Sequence, residues 1–149
     1  MRAVLQRVSA AQVIVAGATV GSIGPGIVAL VGVAAGDVEA DAQYIADKIS
    51  ELRLFDGVDS GSERSLMEIN GSALVISQFT LMGDCRKGRR PSWSAIARPE
   101  EAQRLYEVVI ARLRDRQIHT ETGRFRTEMN VTLTNDGPFT VLIDSRKEF

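Results

Sequence analysis

Glycine and proline cluster between residues 17 and 26 of this chain, the mark of tight turns between short elements. Between Met1 and Ala35, Gly17, Gly21, Gly24, Pro25 and Gly26 divide a segment otherwise rich in Val, Ile and Ala. β-branched runs bounded by turn formers favour strands, so this stretch reads as three or four short strands joined by tight turns, a β-meander that opens the fold. Whatever follows must pack against a sheet.

Downstream, the hydrophobic period changes. Asp37 can cap a helix whose apolar positions Val38, Ala42, Ile45, Ala46, Ile49 and Leu52 recur at intervals of three and four, with an end expected near Phe55. Asp56 to Arg64 combines glycines, serines and acidic residues and reads as a solvated loop. Ala73-Leu74-Val75-Ile76-Ser77-Gln78-Phe79 begins as a continuous apolar run, as in a strand buried on both faces, and ends polar, as a strand does on reaching a cleft. A second helix is expected from about Pro99 to Arg116, with Glu100 and Glu101 in its first turn, Arg112, Arg114 and Arg116 in its last, and a core face of Ala102, Leu105, Val109 and Leu113. Alternation over Met129, Val131 and Leu133, then over Phe139, Val141 and Ile143, predicts a strand, a Gly-Pro turn and another strand. This order excludes a simple alternating parallel sheet. The expected fold is mixed α/β, α+β-like: a single domain over residues 1–149, with a mostly antiparallel, barrel-like sheet and two main helices packed outside.

Composition narrows the functional classes. A chain of 149 residues can bury a core without disulfide or metal staples. Eighteen basic and nineteen acidic residues give a formal net charge of -1, so any nucleic-acid contact must come from a local patch, and nonspecific DNA binding is not expected. The single cysteine, Cys85, and the single histidine, His119, fall short of a zinc ligand set; no metal and no cofactor are expected, and the lone thiol suits a reducing cytosol. Gln6 and Arg7 interrupt the amino-terminal apolar run that an export signal needs. Ile27 to Ala35, the longest apolar stretch, is far below the roughly 20 residues of a membrane-spanning helix. A soluble, cytoplasmic protein without a membrane partner is the expectation.

Two motifs carry candidate chemistry. Ser77-Gln78-Phe79-Thr80-Leu81 offers hydroxyls, an amide and, at a strand end, backbone N–H groups suited to a developing oxyanion; the bland alternative is a strand edge with a solvated Thr. Asn135-Asp136-Gly137-Pro138-Phe139-Thr140 reads on its residues alone as a hairpin turn, with Gly137 supplying the turn conformation. For Thr80 to act as a nucleophile a base must be close, and His119 lies in a polar stretch with no motif to orient it. Cys85 sits beside Asp84, which weakens thiolate stabilisation by Arg86 and Lys87. Arg86-Lys87-Gly88-Arg89-Arg90 is the densest positive run, fit for phosphates or equally for a solvated loop paired with acidic neighbours.

Taken together, and with Gln6-Arg7-Val8 and Lys87-Gly88-Arg89-Arg90-Pro91-Ser92, the two motifs resemble the paired signature of the D-aminoacyl-tRNA deacylase (D-tyrosyl-tRNA deacylase) family, over the whole chain. The resemblance implies a homodimeric hydrolase that cleaves the ester between a D-amino acid and tRNA. It places Ser77, Gln78, Phe79 and Thr80 in the catalytic set, Gly137, Pro138, Asn135, Arg7 and Gln6 in substrate binding and rejection of L-amino acids, and Arg86, Lys87, Arg89 and Arg90 against tRNA. It further implies that the Gly137-Pro138 bond is cis, that its carbonyls project into the partner subunit's active site, and that Arg7 helps to hold the segment. Enantiomers carry the same groups, so a rigid element set against the L side chain discriminates by clash where attraction cannot. Glycine would pass such a filter, which makes glycine mischarged on tRNA-Ala an expected substrate. With no triad in sight, the resemblance points to positioning of water and ester, assisted by the terminal 2′-OH of the tRNA. Two residues depart from the family pattern: Phe139 stands where a smaller aliphatic residue is common, and Trp93 where Phe is usual. The alternatives are a noncatalytic tRNA- or RNA-binding module built on the 86–90 loop, a hydrolase with Thr80 as nucleophile, and a small-molecule binder in which both motifs are only turns.

Overall fold

A computed structural model describes residues 1–57, 59 and 62–149 of the chain. In order, the elements are β1 (Arg2–Val15), β2 (Ala18–Ile23), β3 (Gly26–Gly32), α1 (Glu39–Glu51), β4 (Arg53–Asp56), β5 (Glu63–Ser65), β6 (Ser72–Ser77), a 3-10 turn (Phe79–Met82), α2 (Pro99–Asp115), β7 (Thr120–Thr122) and β8 (Asn130–Asp144). The main sheet runs β2-β1-β3-β6-β7, with β8 on the other edge of β1. Its pairings with β1 are antiparallel, whereas β3, β6 and β7 run parallel. This is the mixed, barrel-like α/β architecture expected.

The opening strands do not form a meander. β1 spans 14 residues and serves two neighbours in turn. Its far half pairs with β2 across the tight turn at Ala16 and Gly17, both at positive φ, and its near half pairs with β3. Strand length decides the topology: of the three opening strands, β1 alone is long enough to bridge both.

β3 and β6 are buried on both faces, as a run without polar alternation requires. Ile27, Ala29, Val31, Ala73 and Val75 join Ala42, Ile45, Ile49, Leu105, Val109 and Leu113 in the core beneath the two helices. Val28, Leu74 and Ile76 turn to the opposite side and meet Val8, Val13 and Ile23 where the sheet curls on itself. Tyr106 of α2 donates its hydroxyl to the Val75 carbonyl at 2.7 Å, and burial raises its pKa, so it remains a neutral donor that pins α2 to β6.

α2 follows its expected bounds closely, and Leu105, Val109 and Leu113 are buried as expected. α1 differs in three respects. It stops at Glu51, because the chain turns into β4 and takes Phe55 with it. Val38, placed on the buried face by spacing, is 57% exposed and stands at the N-cap, where its N–H donates to Asp41. Asp37 does not cap the helix. Its buried carboxylate accepts the Ala34 N–H at 2.6 Å and pairs with the Met1 amine and Arg146, and these cationic partners outcompete a helix end. The two ends of the segment expected to be a loop are strand: Asp56, the last residue of β4, pairs with Glu63 of β5, and Arg64 pairs with Phe55; Val58, Ser60 and Gly61 lie outside the described residues.

Candidate active site

The two motifs form two separate structures. β6 delivers Ser77 to the edge of a cavity of about 540 Å³, lined by Ser77, Gln78 and Phe79 together with Val33, Phe125 and Met129 among others. The Gln78 N–H still bonds the Val31 carbonyl at 2.7 Å, after which the chain tightens into the 3-10 turn, so Phe79 lies in the turn and not in the strand. The first amides of such a turn, those of Phe79 and Thr80, have no partner within it, and neither donates to a backbone carbonyl among the described residues. Phe79, 56% exposed, packs edge to face with Trp93 at 5.7 Å and forms an aromatic rim.

Thr80 is exposed and is not among the residues that line the cavity. Its hydroxyl accepts a hydrogen bond from the Gln78 side-chain amide, a group that cannot take its proton. His119 lies elsewhere, beside Glu121 at 3.3 Å. Cys85 is exposed and lines a different cavity, with Asp84 and Arg86.

One residue of the site escaped the sequence reasoning. A Cβ on Gly32, at the end of β3, would stand 2.8 Å from the Gln78 carbonyl oxygen and 3.1 Å from Leu81 Cβ. The absence of a side chain is what lets the turn settle against β3. A glycine at the end of an apolar strand was the available signal, since it marks close approach of another backbone.

The Gly137-Pro138 segment is not a hairpin. Both of its flanks pair antiparallel with β1, Thr140 opposite Gln6 and Asn135 opposite Val8, so they run in the same direction and residues 136–139 bulge out against Arg7 alone. The Gly137-Pro138 peptide bond is cis. Beneath the bulge lies Arg7, whose side chain is only 6% exposed. Its guanidinium donates to the carbonyls of Asp136 (3.0 Å), Gly137 (3.4 Å) and Leu54 of β4 (2.8 Å). It also pairs with the carboxylates of Asp136 (3.0 Å) and Asp56 (3.5 Å). Asn135 closes the bulge from one side, its amide donating to the carbonyls of Arg7 (2.8 Å) and Phe139 (3.2 Å). Gln6 closes the other by donating to the Thr140 hydroxyl at 3.2 Å. None of residues 135–139 lines the Ser77–Phe79 cavity, so one chain does not bring its two motifs together.

The basic loop is part of neither structure. Arg86 is held by Asp84 through two side-chain bonds of 2.8 and 2.7 Å, and these, with the Arg86 N–H, keep the Asp84 carboxyl far below the usual range. Lys87, Arg89 and Arg90 are exposed and have no ion pair among the described residues, leaving three cations for an external anion. Among the described residues, no cluster of potential metal ligands occurs and no helix is long and apolar enough to cross a membrane.

Comparison with known proteins identifies the family. The family model described as D-Tyr-tRNA(Tyr) deacylase matches residues 4–144. A D-aminoacyl-tRNA deacylase of Symbiobacterium thermophilum is 53% identical over 149 residues, covering 100% of this chain and 99% of its own. One from Thermus aquaticus is 51% identical over 148 residues, covering 99% and 97%. A solved structure titled c-Myc DNA Unwinding Element Binding Protein superposes with a TM-score of 0.88 at 33% identity, covering 97% of this chain and 98% of that one. Another, titled as a probable eukaryotic D-amino acid tRNA deacylase, has a TM-score of 0.83 over 95% and 97% at 16% identity, a likeness of fold. With the match running through both motifs and nearly end to end, the chain belongs to the D-Tyr-tRNA(Tyr) deacylase family.

Proposed function

We propose that the chain hydrolyses D-aminoacyl-tRNA as a homodimer, seating the aminoacyl ester in the Ser77–Phe79 cavity of one protomer and excluding L side chains with the Gly137-Pro138 bulge of the other. One observation carries this reading: a buried guanidinium fixes the carbonyls of Asp136 and Gly137 in a bulge that is otherwise exposed and lies outside its own chain's cavity. A charged side chain is rarely committed to surface carbonyls unless their position matters. β8 also presents Leu142, 65% exposed, which suits coverage by a second copy.

Rejection follows from rigidity. Attraction to the D side chain would have to differ with each amino acid, whereas a fixed backbone wall penalises any L side chain by overlap and admits glycine. At the cavity edge, the Phe79 amide holds the ester carbonyl and its developing charge, with the Thr80 amide next to it on the exposed turn, and Ser77 and Gln78 orient the ester. The Gln78 amide occupies the Thr80 oxygen, and the cavity lining holds no histidine and a single carboxylate, that of the exposed Glu128, so water attacks with the help of the tRNA terminal 2′-OH. Lys87, Arg89 and Arg90 meet the acceptor-end phosphates. Release of the amino acid from purified protein should therefore be seen with D-tyrosyl-tRNA and glycyl-tRNA but not with L-tyrosyl-tRNA. Glycyl-tRNA left intact while D-tyrosyl-tRNA is cleared would show that the D side chain is recognised and would end the exclusion mechanism; no release from any of them would leave a binding module.

A further inference from the structure

Phe139 is the side chain of the bulge whose position the reading so far does not use. Its ring centroid lies 4.4 Å from the Arg7 guanidinium carbon, well inside the range of cation–π attraction, and its other contacts are with the core under the helices. The guanidinium is thus held by polar groups of Leu54, Asp136 and Gly137 at its edge and by an aromatic face. The hydrogen bonds hold the guanidinium at its N–H groups, and the ring adds a separate attraction at its central carbon. The Phe139 carbonyl is also taken by Asn135, which fixes the backbone that carries the ring.

We infer that Phe139 is a specificity-positioning residue of this chain: by stacking on Arg7 it holds the Gly137-Pro138 carbonyls at the depth that separates D from L esters. The inference rests on the exclusion reading above. It makes the strictness of chiral rejection depend on an aromatic ring.

The test compares D- and L-tyrosyl-tRNA hydrolysis by the full-length dimer carrying Phe139→Leu, Phe139→Tyr or Arg7→Ala. Leucine keeps an apolar group but removes the π face; tyrosine keeps both. The D-to-L ratio of kcat/KM should fall roughly three- to ten-fold in Phe139→Leu and stay at the unsubstituted value in Phe139→Tyr. A merely structural role would lower both rates together and leave the ratio unchanged. If Arg7→Ala loses rejection while Phe139→Leu keeps it, the stacking role is overturned and the exclusion reading survives. If Arg7→Ala also keeps rejection, the exclusion reading itself falls, and the role of Phe139 with it.

Discussion

Arg7→Ala is expected to lower the unfolding free energy by about 3 kcal/mol, a fall in Tm of roughly 6 to 12 °C, and to relax chiral rejection at the same time. The stability loss follows from the surroundings of the guanidinium. Its removal strands the buried Leu54 carbonyl and leaves those of Asp136 and Gly137 without their donor, while two carboxylates lose their countercharge. The bulge, with residues 136–139 no longer anchored to β1, then samples positions that admit an L side chain. L-tyrosyl-tRNA, which on the proposed function the intact chain spares, should be cleaved at a rate at least about ten-fold higher, the equivalent of losing about 1.4 kcal/mol of steric penalty. Thermal denaturation and paired D and L assays measure the two effects separately. A variant that loses stability yet still spares L-tyrosyl-tRNA would make Arg7 a structural residue only.

The second large effect concerns the other half of the site. Gly32→Ala places a Cβ 2.8 Å from the Gln78 carbonyl oxygen and 3.1 Å from Leu81 Cβ and Met82 Cε. Backbone cannot rotate away as a flexible side chain does, so the turn that presents the Phe79 and Thr80 amides must shift. Overpacking of this kind costs about 1–3 kcal/mol, which the fold should tolerate. Catalysis by positioning is far more sensitive, and kcat on D-tyrosyl-tRNA should fall by roughly ten- to a hundred-fold. Gly24→Ala is the control, because nothing lies within 4 Å of a Cβ there. Equal turnover by the two variants would show that the amides of the turn do not take part in the reaction.

Much of the fold was legible because it is local. Pro99 and the paired acids mark the start of α2, and the spacing of Leu105, Val109 and Leu113 gives its buried face. The unbroken apolar run of β6 carries its two-sided burial. What the residues could not reveal was pairing. The alternation of β8 is the same whether its halves fold back on each other or lie end to end along β1, so a bulge opposite Arg7 looked like a hairpin. Asp37 could have capped α1; its actual partners, Met1 and Arg146, come from the two ends of the chain. The tether of Arg7 to Leu54 likewise spans elements that no local pattern connects. The family resemblance supplied the candidate site residues, and the structure divides them between a cavity and a bulge that one chain does not join.

That division makes the central claim testable in mixed dimers. Protomers carrying Arg7→Ala have a sound cavity and a loose bulge; protomers carrying Gly32→Ala have a damaged cavity and a sound bulge. In a dimer of one of each, isolated through two different affinity tags, the proposed arrangement sets the working cavity against the intact bulge of its partner. Acting between subunits, the bulge should bring L-tyrosyl-tRNA hydrolysis down to the level of the unsubstituted protein while D-tyrosyl-tRNA is still cleared. L-tyrosyl-tRNA hydrolysis that persists at the level per active cavity seen in Arg7→Ala dimers would contradict the account.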